Sequence, residues 1–184
     1  MVTVIIIAAI AILVLFVISA YNKCVRTQNL AEEEIAQIDT HLKKRYDMIP
    51  NLVEIVKGYA KHEKETLEAV IQARNMAMNA QGIEEKDKAD NAFAGTLKTL
   101  FALSESYPDL KANTGFQDLQ KQLADLEQDI LQARKYYNGV VKEFNTLIAT
   151  FPNNIVVMIF GGKFRKLPYL EIQEAERQNV RIQF

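Results

Sequence analysis

The sequence predicts an all-α protein: an N-terminal transmembrane helix followed by an elongated antiparallel helical bundle with coiled-coil-like seams. Three observations carry this reading. Residues 2–20, VTVIIIAAIAILVLFVISA, contain no charge. Residues 116–151 place apolar side chains at unbroken spacings of 3 and 4, the period of a helix face. The 184 residues include only 7 Gly and 4 Pro, too few for the many turns of a β sandwich.

The uncharged run comes first. As a helix it spans about 29 Å, close to the hydrocarbon thickness of a bilayer. No Lys or Arg precedes it, as a cleaved signal peptide would require, whereas Lys23 and Arg26 follow at once. Cationic residues stay on the cytoplasmic side, so the expected orientation has the N-terminus outside and the body in the cytoplasm of a bacterial cell, with a single pass through the lipid bilayer. Cys24, the sole cysteine, excludes an intrachain disulfide and a cysteine-based zinc site. Its juxtamembrane thiol is open to reversible acylation.

The body follows. Ile35, Ile38, Leu42, Ile49, Leu52, Val56 and Tyr59 form a first seam, which Leu67, Val70 and Met78 extend less regularly. Residues 80–88, AQGIEEKDK, read as a turn. Phe93, Leu97, Leu100 and Tyr107 mark a shorter helix that ends before Pro108. From Phe116, the residues Leu119, Leu123, Leu126, Ile130, Ala133, Tyr137, Val140, Phe144, Leu147 and Phe151 keep phase for five heptads, about 54 Å of helix. Thr114 with Gln117 is the expected capping box, and residues 151–154, FPNN, the stop. IQAR at residues 71–74 and LQAR at 131–134 resemble each other. The expected organisation is an anchor at 1–21, a helical bundle at 22–152 and a tail at 153–184. The bundle helices fall at about 22–79, kinked near Pro50, then 88–106 and 115–151. In the tail, IVVMIF at 155–160 precedes Lys163, Phe164, Arg165 and Lys166. Two readings are open for it: a contact with a membrane surface or another subunit, or a segment capping the end of the bundle.

Pro50 falls inside the first seam. It lacks the N–H that would bond the carbonyl of Tyr46, at a cost of about 3 kcal/mol in a helix interior. The seam crosses it unshifted, because Ile35, Ile38 and Leu42 recur 14 residues later as Ile49, Leu52 and Val56. A kinked or briefly interrupted rod is expected rather than a hairpin: either Asp47 caps a new helix whose first turn holds Pro50, or the helix runs on with a kink and Asn51 satisfies a freed group. Arg45, Tyr46, Asp47, Pro50 and Asn51 are the candidate structural or docking cluster.

Charges of both signs are interspersed, with 22 Lys and Arg against 23 Asp and Glu, so no global field points to nucleic acid. His41 and His62 are the only histidines. His62-Glu63-Lys64-Glu65-Thr66 lacks the second histidine of a zinc protease helix. No phosphate loop or nucleophile elbow is present, and no catalytic, cofactor or metal residue is assigned.

The uncharged helix followed by Tyr21-Asn22, then Gln37-Ile38-Asp39 and LKKRYDMIPNLVE at 42–54, resembles the bacterial LemA family. Further matches are VKGYA at 56–60 with His62-Glu63, Ala73-Arg74, YPDLKA at 107–112, Ala133-Arg134 with Tyr137-Asn138, and Phe151-Pro152. The resemblance implies a helical bundle on a single transmembrane anchor and no known reaction. The expected function is a non-enzymatic, self-associating membrane scaffold that organises membrane or envelope proteins. The alternative is an adaptor or regulator of a membrane enzyme, such as the quality-control metalloprotease whose gene often lies near those of the family.

Overall fold

The computed structural model describes residues 1–160 and 162–171; residues 161 and 172–184 of the expected tail lie outside them. All regular structure among the described residues is helical: α1 (Val2–Tyr59), α2 (Lys64–Asn79), α3 (Ile83–Ser104), α4 (Pro108–Lys111), α5 (Thr114–Ala149) and α6 (Asn153–Ile159). The chain forms two compact units. Unit 1 is Met1–Ala36 with Tyr136–Tyr169, and unit 2 is Gln37–Lys135 with Leu170–Phe184.

In unit 2 four helical segments alternate in direction. Arg74 of α2 bonds the Tyr46 carbonyl of α1, while Ala77 and Met78 face Leu42 and Asp39, so α2 runs back along α1. Lys86 of α3 pairs with Asp39, and Tyr107 just after α3 donates to Glu63, so α3 runs with α1. Asn113 bonds the Tyr59 hydroxyl and Glu127 reaches Arg45, which makes α5 antiparallel to both. Each segment buries its apolar stripe. Ile38, Leu42, Ile49, Leu52, Val56, Val70, Phe93, Leu97, Leu100, Phe116, Leu123, Leu126 and Ile130 are all interior. Short connections between long amphipathic helices favour this up-and-down arrangement.

The structure corrects three expectations. The segment expected as one helix over 22–79 reverses at residues 60–63, where Ala60 accepts from the Glu63 N–H, and not at Pro50, which lies inside α1. Leu67 and Val70 resume the apolar period directly after so short a turn, so periodicity does not reveal it. The helix expected to begin at 88 begins at Ile83, after Gly82 with φ of +79°, a conformation that suits glycine. Its first inward positions are Asp87 and Asp90, buried but charged, so no apolar pattern marks them. The cap of α5 is Asn113, whose Oδ1 accepts the Phe116 N–H at 2.9 Å, and not a box of Thr114 with Gln117. Gln117 instead donates to the Lys111 carbonyl. Asparagine already supplies the side-chain oxygen that the first turn needs.

Unit 1 contains the candidate membrane span at the start of α1, none of whose apolar window is buried. Beyond it Cys24 packs with Phe144, Leu147, Ile148 and Phe164 in a small core, flanked by Tyr21, Val25, Val157 and Leu167. α5 ends at Ala149, two residues short of expectation, and Phe151 is exposed. An extended segment after α6 then lies along α5. Asn145 clamps it by donating to the Leu167 carbonyl and accepting the Leu167 N–H, each at 2.9 Å, and Tyr137 donates to the Pro168 carbonyl at 3.0 Å.

Candidate functional site: a buried charge network in unit 2

α1, α3 and α5 bring two arginines and two aspartates together in the interior of unit 2. Arg45 is 1% exposed, Asp90 2%, and Asp87 and Arg134 6% each. One Arg45 nitrogen donates to Asp90 Oδ1 and another to Glu127, which lies at the rim. Tyr46 donates its hydroxyl to the same Asp90 oxygen at 2.7 Å. Asp90 Oδ2 accepts from Arg134 Nη2 at 2.9 Å, and that nitrogen also stands 3.0 Å from Asp87 Oδ1. Asp87 Oδ2 takes the Glu171 N–H at 2.7 Å, while Arg134 Nη1 donates to Asn91 and to the Glu171 carbonyl. The Arg45 guanidinium lies 5.3 Å from the Phe93 ring centroid.

Two guanidinium groups thus face two buried carboxylates and one at the edge. The planar guanidinium fork suits such convergence, since it bonds several acceptors at once. Burial alone would favour neutral arginine, yet the charges of Asp90 and Glu127 hold the Arg45 pKa above its ordinary value. Burial first, then the Asp90 charge and hydrogen bond, pushes the Tyr46 phenol up, so it remains a donor. Burial also raises the Asp87 carboxyl, against the Glu171 N–H and Arg134, which lower it. Both Asp90 oxygens are occupied and almost nothing of the residue reaches solvent. What this geometry supplies is register: α1, α3 and α5 must align for the network to close, and removing one partner strands a buried charge at about 3–5 kcal/mol.

The candidate cluster around Pro50 divides. Arg45 and Tyr46 enter the buried network, whereas Asp47, Pro50 and Asn51 are exposed on the opposite side of α1. There Lys43 pairs with Asp47 at 2.6 Å. The carbonyl of Tyr46 that Pro50 leaves without its helical partner accepts a hydrogen bond from Arg74 Nε at 2.7 Å. Arg74 of α2 therefore takes the role expected of Asn51 and ties α2 to α1 at the proline. The arginines ending the IQAR and LQAR stretches, Arg74 and Arg134, both bond across helices in this way.

Asp87, Asp90, Glu127, Arg74 and Arg134 were not legible as site residues, although a signal existed. Arg45 fills the gap of seven between Leu42 and Ile49 at spacings of 3 and 4, and Arg134 sits likewise between Ile130 and Tyr137. A charge in seam register is a buried charge, and a buried charge needs a partner. Among the described residues, no group of three or more His, Cys, Asp or Glu is arranged to hold a metal ion.

Protein LemA of Metamycoplasma hominis is 29% identical over 140 residues, covering 73% of this chain and 62% of that protein. Magnetosome protein MamQ of Magnetospirillum gryphiswaldense is 22% identical over 181 residues, 84% of this chain and 66% of that one. Magnetosome protein MamQ 2 of Paramagnetospirillum magneticum is 28% identical over 87 residues, 47% of this chain and 31% of that one. The chain thus spans less than two thirds of the length of each of these relatives. The sequence profile of the LemA family matches residues 34–184, a stretch that includes every member of the charge network and the proline it surrounds, and the chain belongs to that family.

Proposed function

We propose that this protein is a non-enzymatic membrane scaffold, anchored by a single span, that self-associates and organises other membrane or envelope proteins. The observation that carries this reading is that the charged groups clustered inside unit 2 bond one another and leave no open face toward a substrate. Such a network rigidifies a bundle rather than performing a reaction. α1 runs from the candidate span to Tyr59 as one helix, so the same element enters the lipid and contributes Arg45. The body faces the cytoplasm in this reading, because Lys23 and Arg26 follow the span. Light scattering on the detergent-solubilised protein tests self-association: assemblies growing with concentration are expected, and a strict monomer at high concentration sinks the scaffold.

The exposed stripe of Lys43, Asp47, Pro50 and Asn51 favours a second reading, an adaptor or regulator of a membrane enzyme such as a quality-control metalloprotease. Photocrosslinkers placed at Lys43 and Asn51 in cells would then capture a second membrane protein. Capture of this chain alone removes the second reading.

A further inference from the structure

α6 buries only part of its surface. Val156 is interior and Val157 packs on the Cys24 core, whereas Met158 and Ile159 are 74% and 65% exposed. Ile155 and Phe160 are exposed beside them, and Phe151 precedes them, so a contiguous stretch of chain presents large apolar side chains outward. Scattered apolar residues are ordinary on a surface, but five within ten positions mark a contact.

The position of this patch identifies what it contacts. The Phe160 ring lies 4.6 Å from Tyr21 and the Phe164 ring 5.6 Å from it. Lys163 Nζ stands 2.5 Å from the Tyr21 hydroxyl and 5.0 Å from its ring centroid. Tyr21 immediately follows the uncharged residues 2–20. A tyrosine at the end of a span occupies the headgroup layer, and side chains held against it share that depth. The charge agrees. Residues 151–170 contain no Asp or Glu, and Lys163, Arg165 and Lys166 are exposed, as are Lys23 and Arg26 on α1.

We propose that α6 and residues 162–166 form a second membrane contact, lying in the plane of an anionic leaflet beside the point where α1 leaves the bilayer. Exposed apolar side chains enter the headgroup boundary while the cations meet acidic lipid. A second copy of the chain is the poorer occupant, since it would bring the same unbalanced cations face to face. The inference rests on residues 2–20 spanning the bilayer.

The chain has no tryptophan, so single substitutions report depth directly. Full-length Met158→Trp, Leu15→Trp and Met76→Trp proteins are reconstituted in phosphatidylcholine vesicles with and without phosphatidylglycerol, and quenching by chain-brominated lipid is measured. Leu15 lies in the span and Met76 is exposed on α2. For Met158→Trp the expected results are a blue-shifted emission, quenching at least about threefold that of Met76→Trp, and further quenching with phosphatidylglycerol that falls with salt and with Arg165→Gln/Lys166→Gln. Quenching of Met158→Trp no greater than that of Met76→Trp, with Leu15→Trp quenched, overturns the membrane contact. A blue shift that follows protein-to-lipid ratio without bromine quenching assigns the patch to a second copy and overturns it equally. An unquenched Leu15→Trp protein would refute the span itself, and with it both the anchor and this inference.

Discussion

In unit 2 the helices meet around two guanidinium groups, two buried carboxylates and a tyrosine hydroxyl; in unit 1 they meet around a thiol, two phenylalanines, a leucine and an isoleucine. In unit 1, Asn145 and Tyr137 bond the backbone of an extended segment rather than a buried charge. Two solutions to one packing problem stand side by side in this chain. Apolar contacts tolerate small slips of one helix along another, because hydrophobic attraction is non-directional. Ion pairs between buried groups close in one alignment only, at a desolvation cost that well-packed apolar residues would avoid. The family match covers the charged unit and begins only at residue 34, near the end of the first segment of unit 1.

Removing the hub of the network is expected to have the largest effect. Asp90→Ala takes the shared buried carboxylate from both arginines, leaving Arg45 only Glu127 at the rim and Arg134 only Asp87 as ion-pair partners, and urea unfolding of the solubilised protein should show a loss of about 3–5 kcal/mol that added salt hardly changes, since a buried pair is little screened. A loss below about 1 kcal/mol, the level of an exposed pair, would break the contrast between the two interiors. In unit 1 the counterpart is Leu147→Ala, which removes apolar packing alone and should cost about 2–4 kcal/mol without stranding a charge. The proline gives a sharper test through coupling. Arg74→Met leaves the Tyr46 carbonyl without its partner and should cost about 1–3 kcal/mol, whereas in a Pro50→Ala background the restored N–H satisfies that carbonyl and most of the cost should vanish. Additive effects would show that Arg74 acts elsewhere.

The smallest expected effect depends on pH. The Tyr46 phenol, raised by burial and by Asp90, stays protonated in the folded protein after the unfolded chain has lost its proton. Its contribution is therefore complete below about pH 10 and is lost as pH rises through the raised folded value. Tyr46→Phe should cost about 1 kcal/mol at neutral pH, and the gap between the two proteins should narrow only in alkali. A gap that widens there would reverse the assignment of Tyr46 as the donor.

Apolar stripes were readable wherever they were long. The seam from Phe116 to Leu147 lies in α5 with Leu123, Leu126, Ile130 and Tyr137 inward, and the uncharged run opens α1. Where the inward residue is charged the period disappears from view, as at Asp87 and Asp90, so α3 begins at Ile83, five residues before the position the apolar pattern predicts. The reversal at 60–63 was hidden for a different reason. An apolar stripe has the same period whether the chain continues outward or folds back, and the turn carries no Pro or Gly to mark it.

By itself the sequence determined the helical class, the uncharged entry into α1 and membership in the family, because each depends on local composition, period or motif. Only the tertiary structure decided which charges are interior and whom they meet. Arg45 and Asp90 are 45 positions apart, and Tyr46 is 28 from Arg74. Such distant partners are selected by the direction in which each helix packs, and no spacing along the chain encodes that direction.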